Sequence, residues 1–235
     1  MTISADVLQK FTALEISVLV CSGKLVDNSD DKTLLEVSAK AAADKLRPFA
    51  SLADHPTIIA WRSAYGAMGV KPSKFKSSIE ALARRALKGD QLALDVPLVN
   101  LYNAMSLKWL APIGACDLAK LRTREITLRF ADKARDRFDP LGSQPEAFPL
   151  SDSLVVYAND AEVLCWGFNC RDSRSTALSA TTSEMAFFSE AATPAEAGAS
   201  ASALRELAGI LSKAGFACAP VVQVNGTRPT MDIGG

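Results

Sequence analysis

"SLVVYANDAEVLCWGFN", residues 153–169, holds two short runs of β-branched, aromatic and aliphatic residues on either side of Asn159-Asp160-Ala161. Each run has the length of a strand, and the link has the composition of a tight turn, so the stretch predicts a strand pair. Outward from it, "EITLRFA" (125–131) reads as another strand, "LEISVLVC" (14–21) as a buried one ending at Ser22-Gly23, and "APVVQV" (219–224) as a short last one. Helical spacing fills the intervals. Residues 31–46 place Leu34, Leu35, Ala39, Ala42, Ala43 and Leu46 on one stripe before Pro48, and a second helix starts after Pro56 and ends at Gly66 or Gly69.

"SSIEALARRALKG" (77–89) is the clearest helix: Ser77 and Glu80 form a capping box, Ile79, Leu82, Ala83, Ala86 and Leu87 make the apolar stripe, and Gly89 stops it. A further helix is expected from Thr181 or Thr182 with Glu184 in its first turn, and a last one over 195–213 closed by Gly215. Helices and strands mix without regular βαβ alternation, so the fold class is α+β. We expect one domain over residues 1–222, with its motif-bearing core at 55–190 and a mobile tail at 223–235.

With 26 Lys+Arg against 26 Asp+Glu and 49% hydrophobic residues, the 235-residue chain is an ordinary globular protein, and any partner must meet a local patch. Five cysteines without a C-x-x-C pair, and the single histidine His55, argue against a metal site and against a disulfide framework. His55, before Pro56, reads as a loop or capping residue. No stretch reaches the roughly 18 apolar residues of a spanning helix, so no membrane partner is expected and a reducing cytoplasm is the simplest address.

Five features carry chemistry. In "VNLYNAMSLKWLAPIGACDLAKL" (99–121), Asn100, Asn103 and Ser106 share one side of an amphipathic helix, facing either a cleft or a neighbouring loop. Residues 61–90 concentrate Arg62, Lys71, Lys74, Lys76, Arg84, Arg85 and Lys88 against Glu80 and Asp90, which is either a phosphate-binding face or a solvated one. On the preceding helix, Trp61 and Tyr65 belong either to the core or to a base-stacking surface. The run Arg171, Asp172, Ser173, Arg174, Ser175 and Thr176 follows the strand ending at Asn169, where hydroxyls and guanidinium forks suit a phosphate or an amino group, or the run is a polar hairpin exit capping the next helix. Arg129 in "ITLRFA" faces either the cleft or solvent.

The order of "HPTIIAWRSAYGAMGVKPSKFKSSIEALARRALKG", "PLVNLYNAMSLKWLAPIGACDLAKL", "ITLRFA" and "LCWGFNCRDSRSTALSATT" resembles the free-standing B3/B4-domain proteins, which are similar to the editing domain of the phenylalanyl-tRNA synthetase β-subunit. The resemblance spans about residues 55–190. It implies an α+β domain with a central cleft that takes the aminoacylated 3′ end of a tRNA and hydrolyses the ester when the amino acid is wrong, as a trans-editing deacylase without a cofactor.

On that resemblance the catalytic candidates are Asn103, Ser106, Gly114 and Asp117; the substrate-binding candidates are Arg129, Asn169, Arg171, Ser173 and Thr176; and the tRNA-binding candidates are Arg62, Lys71, Lys74, Lys76, Arg84 and Arg85. The synthetase motif Gly-Gln-Pro-x-His-Ala-Phe-Asp departs here to "LAPIGACD", with Ala111 at the glutamine and Gly114 at the histidine, while Asp117 remains. On the same resemblance, "ADKARDRF" departs from the relatives' usual Gly-Glu pair before the phenylalanine, leaving Asp136 as the acidic substitute. An aminoacyl ester is already activated, so a positioned water and an oxyanion donor worth on the order of 10²–10³ suffice. The alternatives are a non-catalytic tRNA-binding module of the same fold and a pocket protein for a free amino acid. No DNA partner is expected.

Overall fold

The computed structural model describes residues 1–25 and 30–234. In chain order the elements are β1 (Thr2–Ile3), α1 (Ala5–Lys10), β2 (Glu15–Ser22), α2 (Asp31–Leu46), α3 (Pro56–Ala67), α4 (Ser78–Lys88), α5 (Pro97–Trp109), β3 (Gly114–Asp117), β4 (Thr127–Phe130), β5 (Val155–Asn159), β6 (Glu162–Trp166), β7 (Arg171–Asp172), β8 (Glu184–Ala191), α6 (Pro194–Lys213), β9 (Ala217–Cys218) and β10 (Val222–Val224). This is an α+β fold. One sheet runs β1-β4-β5-β6-β7, with only the β1–β4 pair parallel. The other runs β10-β2-β8-β3, antiparallel throughout, and β9 also pairs with β2.

The β5–β6 pair forms as expected, with Asp160 at φ 54 supplying the left-handed turn residue that Asp tolerates. α4 likewise follows its signals. The Ser77 hydroxyl accepts from the Glu80 N–H at 3.4 Å, and Gly89 closes the helix at φ 73. Glu80 does not complete the box, because its carboxylate is held by two arginines.

The expected helix from Thr181 or Thr182 is instead strand β8, residues Glu184–Ala191. The Thr-x-Glu pattern imitates a helix start, but the Thr182 hydroxyl donates to Asp117 Oδ2 at 2.7 Å rather than capping a helix. "MAFF" is one continuous apolar run because β8 is covered on both faces, as a central strand between two layers must be.

Strand alternation splits the core about this sheet. Ile16, Val18, Ala186 and Phe188 face the other sheet and α3, whereas Leu19, Cys21, Met185 and Phe187 face the layer of α2, α5 and α6. Trp61 and Tyr65 are buried at 1% exposure in the first layer, so they are core residues rather than stacking platforms.

Two further differences concern the chain ends. The segment expected as a mobile tail is docked: Thr230 bridges Thr2, the Met231 N–H donates to the Met1 carbonyl, and Ile233 is buried; residue 235 lies outside the described residues. Cys21 and Cys218 face each other across the β2–β9 pair and form a disulfide, contrary to the expectation of none. They are 197 residues apart in sequence, and no local spacing signals such a pair.

Candidate functional site

Between the two sheets lies a cavity with an empty volume of about 690 Å³, counting the part open to solvent. β3 and β8 supply one wall and β5, β6 and β7 the other, with Ser78 at the start of α4 and Ile126 closing the sides. Ile113, Ile126, Leu164, Phe168 and Phe188 make the lining mostly apolar.

The polar part of the lining comes from strand periodicity. Glu190 continues the face of Ala186 and Phe188, so β8 carries its carboxylate into the layer between the sheets, where it is 1% exposed. Tyr157 of β5 donates to Glu190 Oε1 at 2.7 Å and Asn169 Nδ2 donates to Oε2 at 3.0 Å. The Tyr65 hydroxyl donates to the Gly167 carbonyl at 2.6 Å, with Asn169 Oδ1 3.3 Å away. Burial pushes the Glu190 carboxyl up to about 7; the two donors oppose that shift and the nearby Asp172 adds to it.

Asp172 of β7 faces the same cavity. Burial raises its pKa as well, while the Cys165 thiol and the Arg171 guanidinium pull it back. A Cβ at Gly114 would lie 3.8 Å from Asp172 Oδ1, in ordinary van der Waals contact, so the Gly114 backbone runs close beside that carboxylate. Ser78 adds a buried hydroxyl without a hydrogen-bond partner. The three lining cysteines are thiols, not thiolates: burial raises Cys116 to about 12, Cys170 to about 11, and Cys165 well above its ordinary value.

Of the residues singled out from sequence, the structure brings Gly114, Asn169, Arg171 and Asp172 together at this cavity. The others lie elsewhere, each for a physical reason. α5 packs against α2 and α6, so Asn103 and Ser106 stand outside the cavity lining, and Ser106 is buried in the helix layer. The neighbouring Asn100 anchors a loop: its Nδ2 donates to Asp31 Oδ2 and the Leu94 carbonyl, and its Oδ1 accepts from the Leu94 N–H. Asp117 accepts from Thr182 Oγ1 and from the Ala119 N–H, capping a single helical turn.

Arg129 makes a two-pronged pair with buried Asp136 at 2.7 and 2.8 Å and also donates to the Phe130 and Asp160 carbonyls, which makes both residues structural. Ser173 is buried, its hydroxyl donating to the Asp139 carbonyl, and Thr176 is buried with its carbonyl accepting from the Asp117 N–H.

The basic segment is partly neutralised within the protein. Arg62 donates twice to Glu80, at 2.6 and 3.0 Å, and Arg84 once at 3.1 Å. Burial raises the Glu80 pKa, but the two guanidiniums outweigh it and leave the carboxyl below its ordinary value. Arg85 donates to the Gln91 carbonyl and Lys76 to the Ser73 carbonyl, while Lys74 lies 5.0 Å from the Phe75 ring centroid and Lys71 is exposed. His55 precedes the first turn of α3 without a side-chain cap bond, packs on Phe49 at 4.9 Å, and has its pKa lowered by burial.

Glu190, Tyr157 and Ser78 are the site residues that the motifs did not single out. The available signal was Glu190 itself, a lone acid closing the apolar run "MAFFSE".

The sequence model of the B3/4 domain matches residues 60–208, and the chain belongs to that family. No curated protein matches it. Among solved structures it is similar to the crystal structure of an N-terminal fragment of the phenylalanyl-tRNA synthetase β-subunit from Pyrococcus horikoshii, at 13% identity and a TM-score of 0.41. That match covers 52% of this chain and 41% of the fragment, so the chain spans less than half of the structure it resembles.

Proposed function

We propose that this member of the B3/4 family is a trans-acting aminoacyl-tRNA deacylase whose inter-sheet cavity holds the aminoacyl group. The observation that carries the reading is Asp172, a carboxylate among the mostly apolar walls of the cavity, with the Gly114 backbone beside it. A carboxylate so placed complements an α-ammonium group, and the apolar walls complement an aliphatic stem. The unpartnered Ser78 hydroxyl and the Arg171 guanidinium are donors for the oxyanion that forms when water attacks the ester carbonyl. Asp117 and Asp136 are spent on structural bonds, so we favour the free 3′-terminal ribose hydroxyl of the tRNA as a relay that takes the proton of the attacking water and passes its own to the departing ribose oxygen.

Lys74 and Lys76 lie two to four residues before Ser78, where the tRNA backbone would approach. The pairing of Arg62 and Arg84 with Glu80 favours a second reading, a pocket for a free amino acid, because it removes two cations from the phosphate-facing set. The test is deacylation of a panel of correctly and wrongly charged tRNAs, with Asp172→Asn beside the wild type and tRNA affinity measured against salt. Asp172-dependent turnover of one mischarged species supports the deacylase. Salt-dependent binding without turnover supports a non-catalytic module, and neither result with amino-acid binding intact supports the second reading.

A further inference from the structure

The cavity holds more negative charge than its surroundings neutralise. Among the described lining residues Glu190 and Asp172 are the carboxylates and Arg171 is the only cation. Arg171 lies at the exposed mouth, with its guanidinium carbon 5.2 Å from the Phe148 ring centroid and Nη1 3.4 Å from the Leu141 carbonyl oxygen. The groups facing Glu190 are Tyr157, Asn169, Tyr65, Cys165 and Asp172, none of them cationic. Asp172 has the Cys165 thiol beside it, with no N–H or hydroxyl donor to its carboxylate among the described residues.

Two carboxylates that sense each other in a low-dielectric space do not both ionise without countercharge. An ionised carboxylate offers about four acceptor sites, and Glu190 uses two. The two also differ in depth: Glu190 is buried at 1% exposure, whereas Asp172 is half-buried beside exposed Arg171.

We propose that the ligand of this cavity carries two amino groups: an α-ammonium that meets Asp172 near the mouth and a side-chain ammonium that reaches Glu190 at the floor. The substrate class is therefore a diamino acid of the ornithine or lysine type. Ile126, Leu164, Phe168 and Phe188 cover its methylene stem, and the buried, unpartnered Ser78 hydroxyl faces its acyl group. The proposal rests on the reading that this cavity is the aminoacyl site. A desolvated carboxylate that gains a charge-assisted bond discriminates strongly against an analogue that cannot supply one.

The test is calorimetric binding of two non-hydrolysable 3′-aminoacylamino-3′-deoxyadenosines, one carrying ornithine and the other its uncharged isostere norleucine. The ornithine compound is expected to bind at least about tenfold more tightly. Glu190→Gln should abolish that preference while leaving norleucine affinity in place, and Asp172→Asn should weaken both. Should the glutamine variant not fold, the wild type answers alone. At pH 7, ornithine displaces the Glu190 proton, so its binding heat varies with the ionisation enthalpy of the buffer more than that of norleucine does.

Equal or tighter binding of norleucine, failure of both compounds to bind, a preference that survives Glu190→Gln, or identical buffer dependence overturns the proposal. The two readings fail separately. Ornithine preference with no turnover of any mischarged tRNA removes the deacylase and keeps the ligand class, whereas turnover of an apolar mischarged species without that preference does the reverse.

Discussion

Glu190→Gln should change how the stability of this protein depends on pH. The carboxyl is buried at 1% exposure and titrates at about 7 rather than the ordinary 4.5, chiefly because burial disfavours its charged form. Between those two values the folded protein binds more protons at this site than the unfolded chain does. Its contribution is complete below about pH 4.5 and is lost as pH rises through about 7. The separation corresponds to on the order of 3 kcal/mol.

Asp172 and Glu196, both raised by burial, act in the same sense, and Glu80, lowered by its arginines, acts in the opposite one. These groups are common to both proteins, so they largely drop out of the difference between variant and wild type. The assay is urea unfolding at half-unit steps from pH 5 to pH 8, followed by the fluorescence of Trp61 and Trp166, which are buried in the same layer. The variant should gain on the wild type by about 2.5 kcal/mol across that range, with urea slopes unchanged. Two curves that stay parallel within about 0.5 kcal/mol would mean that Glu190 is ionised throughout, and the account of the buried carboxyl would be wrong.

Asn103→Ala, which removes a side chain outside the cavity lining, should keep deacylation within about twofold of the wild type; loss of turnover in a folded variant would return the site to α5. Arg129→Ala should cost about 3–5 kcal/mol in urea unfolding because it strands the buried Asp136 carboxylate, and Asp136→Ala on top should recover part of the loss. If the double variant is no better, the arginine matters through packing rather than charge. Reducing the Cys21–Cys218 disulfide reopens a loop of 197 residues and should lower stability by about 5 kcal/mol in the chain-entropy limit, read as a shift in the urea midpoint with reductant. Identical midpoints with and without reductant would show that the crosslink contributes nothing.

The sequence by itself determined those elements whose start, stop or turn signals lie within one turn and meet no competing tertiary contact. Ser77 and Gly89 mark the ends of α4 because cap and stop act within one turn. Pro56 opens α3, and the turn at Asp160 joins β5 to β6, for the same reason. The α+β class followed from the order of such segments, and the B3/B4 resemblance from the order of its motifs.

Only the tertiary structure decided what the polar residues do. Asn100, Asp117 and Arg129 belong to residue types that serve active sites, yet Asn100 and Asp117 are consumed by partners distant in sequence and Arg129 by Asp136, seven residues on. The local cap pattern before β8 resembles a helix start, whereas its true environment is two layers of packing contributed by distant segments. Glu190 and Asp172 meet across a cavity whose walls come from two different sheets. The energy of a buried carboxyl depends on which neighbours desolvate it and which hydrogen-bond it, and the chain does not bring those neighbours together until it has folded.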